Sequence, residues 1–389
     1  MRRSGLLRPG MAPRGRRHAA ALTVAAVAVA TCQVTAAAAG GSAASAAAAQ
    51  PAQCPAVAGQ PSGGSPRIMI IGDSITQGSS GDYTWQYRLY EHLRADGVSP
   101  QMVGPYSWLF NNITNVEGDC SYADPKFERA NDARWGMTLF QEKGVIRAKV
   151  ARYRPGYLLA LLGLDDLFWF GKSQSDMAAN LRGFIAAARA ARPRIRIVLG
   201  LIPPDIHQQT SHAFHAIIAT YNYTISTTAA RLSTAASPIA VARDGAGVHV
   251  AADLWDGTHP NANGEVKIAA GFANALASRF HLGRAYPVPF PVLPTGPLTR
   301  PPLTVTPSST PGQAVLSWKL APGANGYNVY LRDVTRGDPF TKLPLPLSPA
   351  QNPWTAGLLI SRDSYAFKLQ ACKGADCGAF SSVATVTVP

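Results

Sequence analysis

A short apolar run that ends at glycine and serine is the feature that most constrains this chain. Residues 68–71 are Ile, Met, Ile and Ile, and this continuous run predicts a buried strand. Gly72 permits a tight turn directly after the strand, and Ser74 follows two residues later. The apolar spacing of residues 85–93 predicts a helix beyond the turn. A serine placed there lies near a helix N-terminus, where negative charge is favoured, so Ser74 is a candidate nucleophile.

A serine hydroxyl is a weak nucleophile until a base removes its proton, so this interpretation requires a histidine and a group that orients it. Both occur far downstream, where Asp256 and His259 lie three residues apart in one short loop. That spacing lets the carboxylate reach the imidazole within the loop itself. We expect Ser74 to be the nucleophile, His259 its base, and Asp256 the group that fixes the imidazole tautomer.

The two blocks together resemble the SGNH (GDSL-type) hydrolase family. Residues 72–74, Gly-Asp-Ser, are similar to the family's first block, and Asp256 with His259 is similar to its last block. The resemblance implies carboxylic ester hydrolysis through an acyl-enzyme on Ser74. Residues 67–104 look most like the secreted carbohydrate esterases, which remove acetyl groups from plant polysaccharides. An acylated polysaccharide is therefore the expected substrate, and a lipase or general esterase is the alternative.

The resemblance also implies an oxyanion hole. The N–H of Ser74 and the N–H of Gly136, which matches the glycine of the family's second block, are the expected donors. The third block of the family is Gly-x-Asn-Asp, and Asp165 occupies the position of its asparagine. An ionised carboxylate has no hydrogen to donate and repels an oxyanion. This departure leaves a further alternative, a binding protein of the same fold with weak turnover.

Apolar strands alternate with amphipathic helices over residues 67–285, which predicts a three-layer α/β/α sandwich with a parallel sheet. The resemblance implies that this region is an SGNH (flavodoxin-like) hydrolase domain. Sites in such folds lie at the carboxyl ends of the strands. Residues 107–126 are polar and predict a long loop that shapes the cleft. Four tryptophans of this region are candidate sugar-stacking faces or else core and rim residues, namely Trp85, Trp108, Trp135 and Trp169. Histidines outside the 256–259 loop, His207 among them, are expected to be surface residues.

The C-terminal part has a different composition. Residues 286–300 are proline-rich and predict a semi-rigid linker. Residues 301–389 show alternating strands and resemble a fibronectin type III domain. In that resemblance Trp318 matches the core tryptophan, and Tyr365 matches the tyrosine near the start of the penultimate strand. No candidate catalytic cluster lies in this part, so we expect it to be dispensable for the hydrolysis of small esters.

The N-terminal part predicts export. Six arginines precede an apolar run at 19–30 that is too short to span a bilayer comfortably, and Ala-x-Ala sites follow. Residues 1–35 are predicted to be a secretory signal peptide rather than a membrane anchor, and residues 36–66 a disordered spacer. Without the leader arginines 30 basic and 22 acidic residues remain, a formal charge of +8. The sequence has no cluster of basic residues with interleaved aromatic residues, so it does not predict a nucleic-acid partner. We expect a secreted, extracellular monomer with no membrane partner.

Cysteine usage agrees with export. The chain has five cysteines, and Cys32 lies in the predicted leader, which leaves an even number. An even count in an exported protein predicts disulfides. Cys372 and Cys377 are close in sequence and are expected to pair, which leaves Cys54 with Cys120. The Cys and His spacing does not fit zinc, and we expect neither a metal nor a cofactor.

Overall fold

A six-stranded parallel sheet lies at the centre of the region that carries the candidate site. The structure is a computed structural model that describes residues 52–55 and 64–389. The predicted signal peptide lies outside these residues. The predicted spacer lies outside them too, except for 52–55 and 64–66.

Strands and helices alternate along residues 67–280. The strands are β1 (Arg67–Gly72), β2 (Gln101–Met102), β3 (Leu109–Asn111), β4 (Val116–Asp119), β5 (Asp132–Ala133), β6 (Tyr157–Leu161), β7 (Arg196–Gly200) and β8 (Ile239–Ala242). The helices are α1 (Ser74–Gln77), α2 (Trp85–Ala95), α3 (Leu139–Tyr153), α4 (Leu164–Phe168), α5 (Gln174–Ala191), α6 (Ile206–Thr210), α7 (His212–Leu232), α8 (Val250–Asp253) and α9 (Ala262–Phe280).

The sheet has the order β2-β1-β6-β7-β8, with β5 added to β1, and every neighbouring pair is parallel. Strands β1 and β6 are buried along their length apart from Arg67 at the start of β1, as expected where helices cover both faces of a sheet. The helices form two packed groups, α2 with α9, and α3 with α5 and α7. This arrangement confirms the predicted α/β/α sandwich.

Two of the four tryptophans belong to the interior of this region. Trp85 is fully buried and stacks on Phe272 with ring centroids 4.5 Å apart, which joins α2 to α9. Trp108 is also buried and packs against Tyr106. Neither side chain is available to a sugar.

The predicted loop at 107–126 contains an antiparallel hairpin of β3 and β4. Its turn forms because the side-chain oxygen of Asn111 accepts the N–H groups of Ile113 (3.0 Å) and Thr114 (2.9 Å). Asparagine side chains favour such turns, so this polar sequence can still pair as strands. Asn115 completes the reversal with a φ of 56°.

Residues 303–387 form two antiparallel sheets, which we call the C-terminal sandwich. Strands β9 (Leu303–Pro307) and β10 (Ala314–Trp318) pair in one sheet with β13 (Trp354–Ala356). The other sheet contains β11 (Gly326–Asp333), β12 (Thr341–Lys342), β14 (Ser364–Lys373), β15 (Asp376–Phe380) and β16 (Ala384–Thr387).

The core of the C-terminal sandwich confirms its likeness to a fibronectin type III domain. Trp318 is buried and packs on Tyr327 at 5.3 Å between ring centroids. The hydroxyl oxygen of Tyr365 accepts the N–H of Ile360 at 3.1 Å. A tyrosine bonded to backbone a few residues upstream is a feature of immunoglobulin-like sandwiches.

The proline-rich segment 286–300 contacts the helix that precedes it. The N–H of Tyr286 donates to Asn274 (2.8 Å), and the N–H of Leu293 donates to Asn263 (2.8 Å). Both asparagines lie on α9, so this segment runs along a helix of the region built on the parallel sheet. The sheet region and the C-terminal sandwich belong to one compact unit.

Two disulfides are present. Cys54 is bonded to Cys120 and Cys372 to Cys377, the two pairs expected from the sequence. Over residues 52–55 and 64–389, none of the helices has the length and apolar character needed to cross a membrane.

Candidate active site

The turn after β1 places Ser74 at the carboxyl end of a central strand. A Cβ on Gly72 would lie 2.0 Å from the hydroxyl oxygen of Thr76, so glycine is required where the chain turns into α1. The Asp73 carboxylate caps α1 by accepting the N–H of Ile75 at 3.0 Å. Burial, with a further contribution from Asp165, raises the pKa of Asp73 well above its usual range. Asp73 is therefore structural, and Ser74 is the first residue of the helix.

A chain of hydrogen bonds joins the three predicted catalytic side chains. The Nε2 atom of His259 lies 3.0 Å from the Oγ atom of Ser74, and its Nδ1 atom lies 2.7 Å from Oδ2 of Asp256. Burial opposes ionisation of Asp256, but the hydrogen bond and charge of His259 hold its pKa below the usual value. An ionised Asp256 accepts Nδ1–H, which leaves Nε2 facing the serine.

The loop that carries Asp256 and His259 is fixed at both ends. The N–H of Trp255 donates to the carbonyl oxygen of His259 at 3.0 Å, which closes the loop on itself. Asn261 caps α9 by accepting the N–H groups of Asn263 (3.0 Å) and Gly264 (3.3 Å). The side chains therefore extend from a short segment held between a closed loop and a helix start.

Two indoles stack near the ring of the loop histidine, one from the turn before α3 and one from the loop itself. The ring of Trp135 lies 4.4 Å from His259 with an interplanar angle of 23°, and Trp255 lies at 5.6 Å. The Trp135 ring also stacks on Phe110 at 4.2 Å, and the backbone N–H of Trp135 donates to the side-chain oxygen of Gln77 at 2.6 Å. Both indoles therefore present a ring face to the imidazole of His259.

Gly136 lies in the turn before α3 with a φ of 73°, a conformation in which glycine avoids backbone strain. The carboxylate of Asp166 accepts the first two N–H groups of α3, from Leu139 (2.7 Å) and Phe140 (3.1 Å). Asp166 follows β6, so it ties the end of that strand to the turn that holds Gly136. The cap of α3 therefore comes from a distant part of the chain.

Asp165 lies in a buried position at the start of α4. Its Oδ2 atom has no hydrogen-bond partner among the described residues. Burial raises the pKa of Asp165 to about 6, with His259 opposing the rise and Asp166 adding to it. The side chain can therefore carry a proton near pH 6, and a protonated acid can donate a hydrogen bond.

A cavity of about 420 Å³ opens beside the hydroxyl of Ser74. All five residues expected to form the triad and the oxyanion hole line it. They are joined by residues from the loops after β6 and β7, and the full lining is Ser74, Trp135, Gly136, Leu164, Asp165, Phe168, Trp169, Asp205, Ile206, His207, Asp256, Thr258 and His259. The volume suits a small acyl group together with part of the molecule that carries it.

One side of the cavity was not predicted from the sequence. His207 was expected to be an ordinary surface residue, but it lines the cavity with its Nδ1 atom 3.3 Å from Asp205. Phe168 packs on the His207 ring at 4.2 Å between centroids. The two prolines that stop β7 at residues 203–204 were the available signal, because loops at strand ends form sites in such sheets. Trp169 lies at the rim of the cavity with 71% of its surface exposed.

A family profile and several solved structures are similar to this chain. A sequence profile described as the GDSL-like Lipase/Acylhydrolase family matches residues 70–266. A family 3 carbohydrate esterase from Talaromyces cellulolyticus is 24% identical, with a TM-score of 0.45, over 53% of this chain and 94% of that one. The Clostridium thermocellum family 3 carbohydrate esterase is 21% identical, with a TM-score of 0.46, over 56% and 100% of the two chains.

A further solved structure resembles the C-terminal part. It is an Fn3-like protein from Clostridium thermocellum, 25% identical with a TM-score of 0.21, over 24% of this chain and 95% of that one. The comparison with curated proteins gives no match. The family profile spans half of the sequence and contains Ser74, Asp256 and His259. The chain belongs to the GDSL-like lipase/acylhydrolase family and is a carboxylic ester hydrolase.

Proposed function

We propose that this protein is an exported serine esterase that removes acetyl or other short acyl groups from a carbohydrate. The observation that carries the proposal is the hydrogen-bonded series from Ser74 through His259 to Asp256 at the wall of the 420 Å³ cavity. Nucleophile, base and orienting carboxylate have the relative positions that acyl transfer requires. The two disulfides support an oxidising, extracellular environment.

The mechanism follows from these positions. His259 accepts the Ser74 proton at Nε2 while Oγ attacks the ester carbonyl, and Asp256 stabilises the resulting imidazolium. The imidazolium then gives its proton to the departing alcohol oxygen as the ester C–O bond breaks. In the second half of the reaction His259 accepts a proton from a water molecule as the water attacks the acyl-enzyme. The bond to Oγ of Ser74 then breaks, His259 returns the proton to Oγ, and the carboxylic acid is released. The N–H groups of Ser74 and Gly136 are the proposed donors to the oxyanion, with Asp165 as a third group.

Aromatic side chains at the rim support a carbohydrate as the molecule that carries the acyl group. Trp169 is largely exposed and lies at the mouth of the cavity beside Phe168. Exposed aromatic faces with a polar edge suit sugar rings, which are apolar on one face and hydroxylated at the edge. Residues 67–104 also resemble the secreted carbohydrate esterases in sequence.

The test compares three substrates: acetylated xylan, a short nitrophenyl ester and a long-chain triacylglycerol. We expect hydrolysis of the xylan acetyl groups and of the nitrophenyl ester, and no turnover of the triacylglycerol. Ser74→Ala should lose activity on xylan and on the nitrophenyl ester. In Trp169→Ala we expect a higher KM on xylan alone. Phe170→Ala is the matched control, because Phe170 is half exposed but lies outside the cavity lining. Preference for the triacylglycerol would indicate a lipase, and equal background in wild type and Ser74→Ala a binding protein.

A further inference from the structure

The turn between β14 and β15 of the C-terminal sandwich lies against the loop that carries the proposed base. We call this turn, residues 372–377, the disulfide hairpin, because its two cysteines are bonded to each other. The N–H of Ala375 donates to the carbonyl oxygen of Trp255 at 3.2 Å. The N–H of Trp255 in turn donates to the carbonyl oxygen of His259 at 3.0 Å. Trp255 therefore links the disulfide hairpin to His259 through two backbone hydrogen bonds.

The approach at this point is too close for any residue but glycine. Gly374 has a φ of 56°, and a Cβ placed on it would lie 1.9 Å from the carbonyl oxygen of Trp255. Real Cβ atoms do not come that close to a backbone oxygen, so a side chain here would force the Trp255 backbone to move. The tight packing means that the position of the loop depends on the position of the disulfide hairpin.

A buried lysine of the disulfide hairpin contacts the segment after Ser74 and also the loop that carries His259. The ammonium of Lys373 bonds the carboxylate of Asp82 and the carbonyl oxygen of Ser80, and it lies 5.2 Å from the Trp255 ring. Asp82 also accepts the N–H of Ser79 at 2.8 Å. These serines follow α1, which begins with the nucleophile. Lys373 thus ties the segment after the nucleophile to the segment that carries the base.

A third contact holds the start of α9. One carboxylate oxygen of Asp376 accepts the side-chain N–H of Asn261 at 2.9 Å, and the other accepts the hydroxyl of Thr295 at 2.8 Å. Asn261 is the cap of α9 and lies two residues after His259. Asp376 therefore fixes the orientation of the residue that ends the catalytic loop.

We propose that the disulfide hairpin positions His259 for proton transfer, so that the C-terminal sandwich is part of the working active site. Its positioning residues are Lys373, Gly374 and Asp376, and none of them lines the cavity. The inference rests on the proposed function of His259 as base. It runs against the expectation from sequence that residues 301–389 are dispensable for small esters. Misplacement of a catalytic group by about 1 Å can cost on the order of 10²-fold in rate.

The test is Gly374→Ala in the full chain, assayed on a short soluble ester. Gly337→Ala is the matched control, because Gly337 also has a positive φ, 74°, in a turn of the C-terminal sandwich, but a Cβ there meets nothing within 4 Å. Both variants carry the same kind of backbone strain, and only one presses on Trp255. We expect kcat to fall at least about ten-fold in Gly374→Ala with KM within about two-fold of wild type, and Gly337→Ala to keep its kcat.

An unchanged KM separates positioning from general damage, because ten of the thirteen residues that line the cavity lie outside the loop that carries His259. Equal kcat in Gly374→Ala and Gly337→Ala, with both variants folded, would overturn the proposal. A parallel fall in kcat in both variants would overturn it as well, since the effect would then follow strain in the sandwich rather than contact with the loop.

A second variant covers the case in which Gly374→Ala does not fold. Asp376→Ala removes the acceptor of Asn261 without adding an atom. Thr295→Val removes only the other partner of Asp376 and is its control. We expect a several-fold lower kcat in Asp376→Ala and a near-normal value in Thr295→Val. A normal kcat in Asp376→Ala would count against the proposal.

The failure of the proposed function can be told apart from the failure of this inference. Ser74→Ala reports on the function, since turnover that survives the change excludes the serine mechanism. The proton NMR signal of the Nδ1–H of His259, bonded to Asp256, reports on positioning without turnover. We expect this signal to shift or broaden in Gly374→Ala and to keep its position in Gly337→Ala. An unmoved signal in both would contradict positioning even if the enzyme were inactive.

Discussion

Asp165 is the single residue at which this site departs most from its family. It stands where an oxyanion donor is expected, its Oδ2 atom is buried and unpaired among the described residues, and burial raises its pKa to about 6. Below that pH the side chain is mainly a carboxylic acid, which can donate O–H to an oxyanion. Above it the side chain is mainly a carboxylate, which repels an oxyanion in a partly desolvated site. The oxyanion hole should therefore weaken as pH rises.

We predict that Asp165→Asn is faster than wild type by a factor that grows with pH. The amide donates at every pH, whereas two pH units above a pKa near 6 only about 1% of the Asp165 side chains keep their proton. The ratio of kcat values, variant over wild type, should be close to one at pH 5 and should approach about 100 at pH 8. The measurement is a pair of pH–rate profiles on a short acetyl ester.

Asp165→Ala is the control for this prediction, because it lacks a donor at every pH and should be slow throughout. A ratio for Asp165→Asn that does not change with pH would show that Asp165 does not face the oxyanion.

At this scale the meeting of the three proposed triad residues was predictable from sequence, and their surroundings were not. Ser74 and His259 appear in short local patterns whose geometry depends on the turn and loop that contain them. Trp135 and His207 reach the site only because loops from other strands meet at one edge of the sheet. The residues next to Trp135 and His207 in sequence do not indicate that these two side chains line the same cavity.

At the scale of elements, α3 depends on a cap from outside its own segment. Thr138 occupies the usual cap position, but its hydroxyl donates to the side chain of Gln141 (2.7 Å) and accepts no backbone N–H of the helix. Asp166 accepts the N–H groups of Leu139 and Phe140 instead. Long helices such as α3 and α9 fit the amphipathic pattern predicted for residues 67–285, because their apolar spacing extends over many residues. Short elements such as α6, α8 and the β3–β4 hairpin were not predicted, since side-chain caps and turns specify them more than periodicity does.

We predict that Asp166→Ala lowers the free energy of unfolding by about 1–2 kcal/mol, the usual cost of losing a helix cap. The loss should also loosen the turn at Gly136. Chemical denaturation measures the change, and Asp165→Ala is the neighbouring control. Asp165→Ala should cost less, because it removes a buried oxygen that has no partner among the described residues. Equal losses in the two variants would show that Asp166 does not stabilise α3 as a cap.

At the scale of the whole molecule, the two disulfides act on different properties. The Cys54–Cys120 bond closes a loop of 66 residues, and the Cys372–Cys377 bond spans a separation of only 5. The entropy removed from the unfolded chain grows with loop length, so the first bond should contribute more stability, about 4 kcal/mol against about 2 kcal/mol. The second bond lies at the contact with the catalytic loop and should matter more for turnover.

We predict opposite rankings for the two pairs of Cys→Ser changes. The variant without Cys54 and Cys120 should lose more unfolding free energy, and the variant without Cys372 and Cys377 should lose more kcat. Denaturant melts and initial rates on a short ester measure the two properties on the same samples. Equal kcat in the two variants would mean that the short bond does not support the active site.

The arrangement of the whole chain was the part least accessible from sequence. A proline-rich segment before a fibronectin-like part is typical of a tethered, independent module. The contacts of Lys373 and Asp376 with Asp82 and Asn261 depend on how the C-terminal sandwich meets the region built on the parallel sheet. Local sequence patterns describe each sheet but not how their surfaces meet.

The most direct test of the catalytic assignment is covalent labelling with a fluorophosphonate, which reacts with an activated serine. The labelled protein is digested, and mass spectrometry locates the adduct. We predict one adduct on Ser74, none in Ser74→Ala, and much slower labelling in His259→Ala, because the base that activates the hydroxyl is absent. An adduct on another residue, with Ser74 unmodified and ester hydrolysis inhibited, would contradict the account.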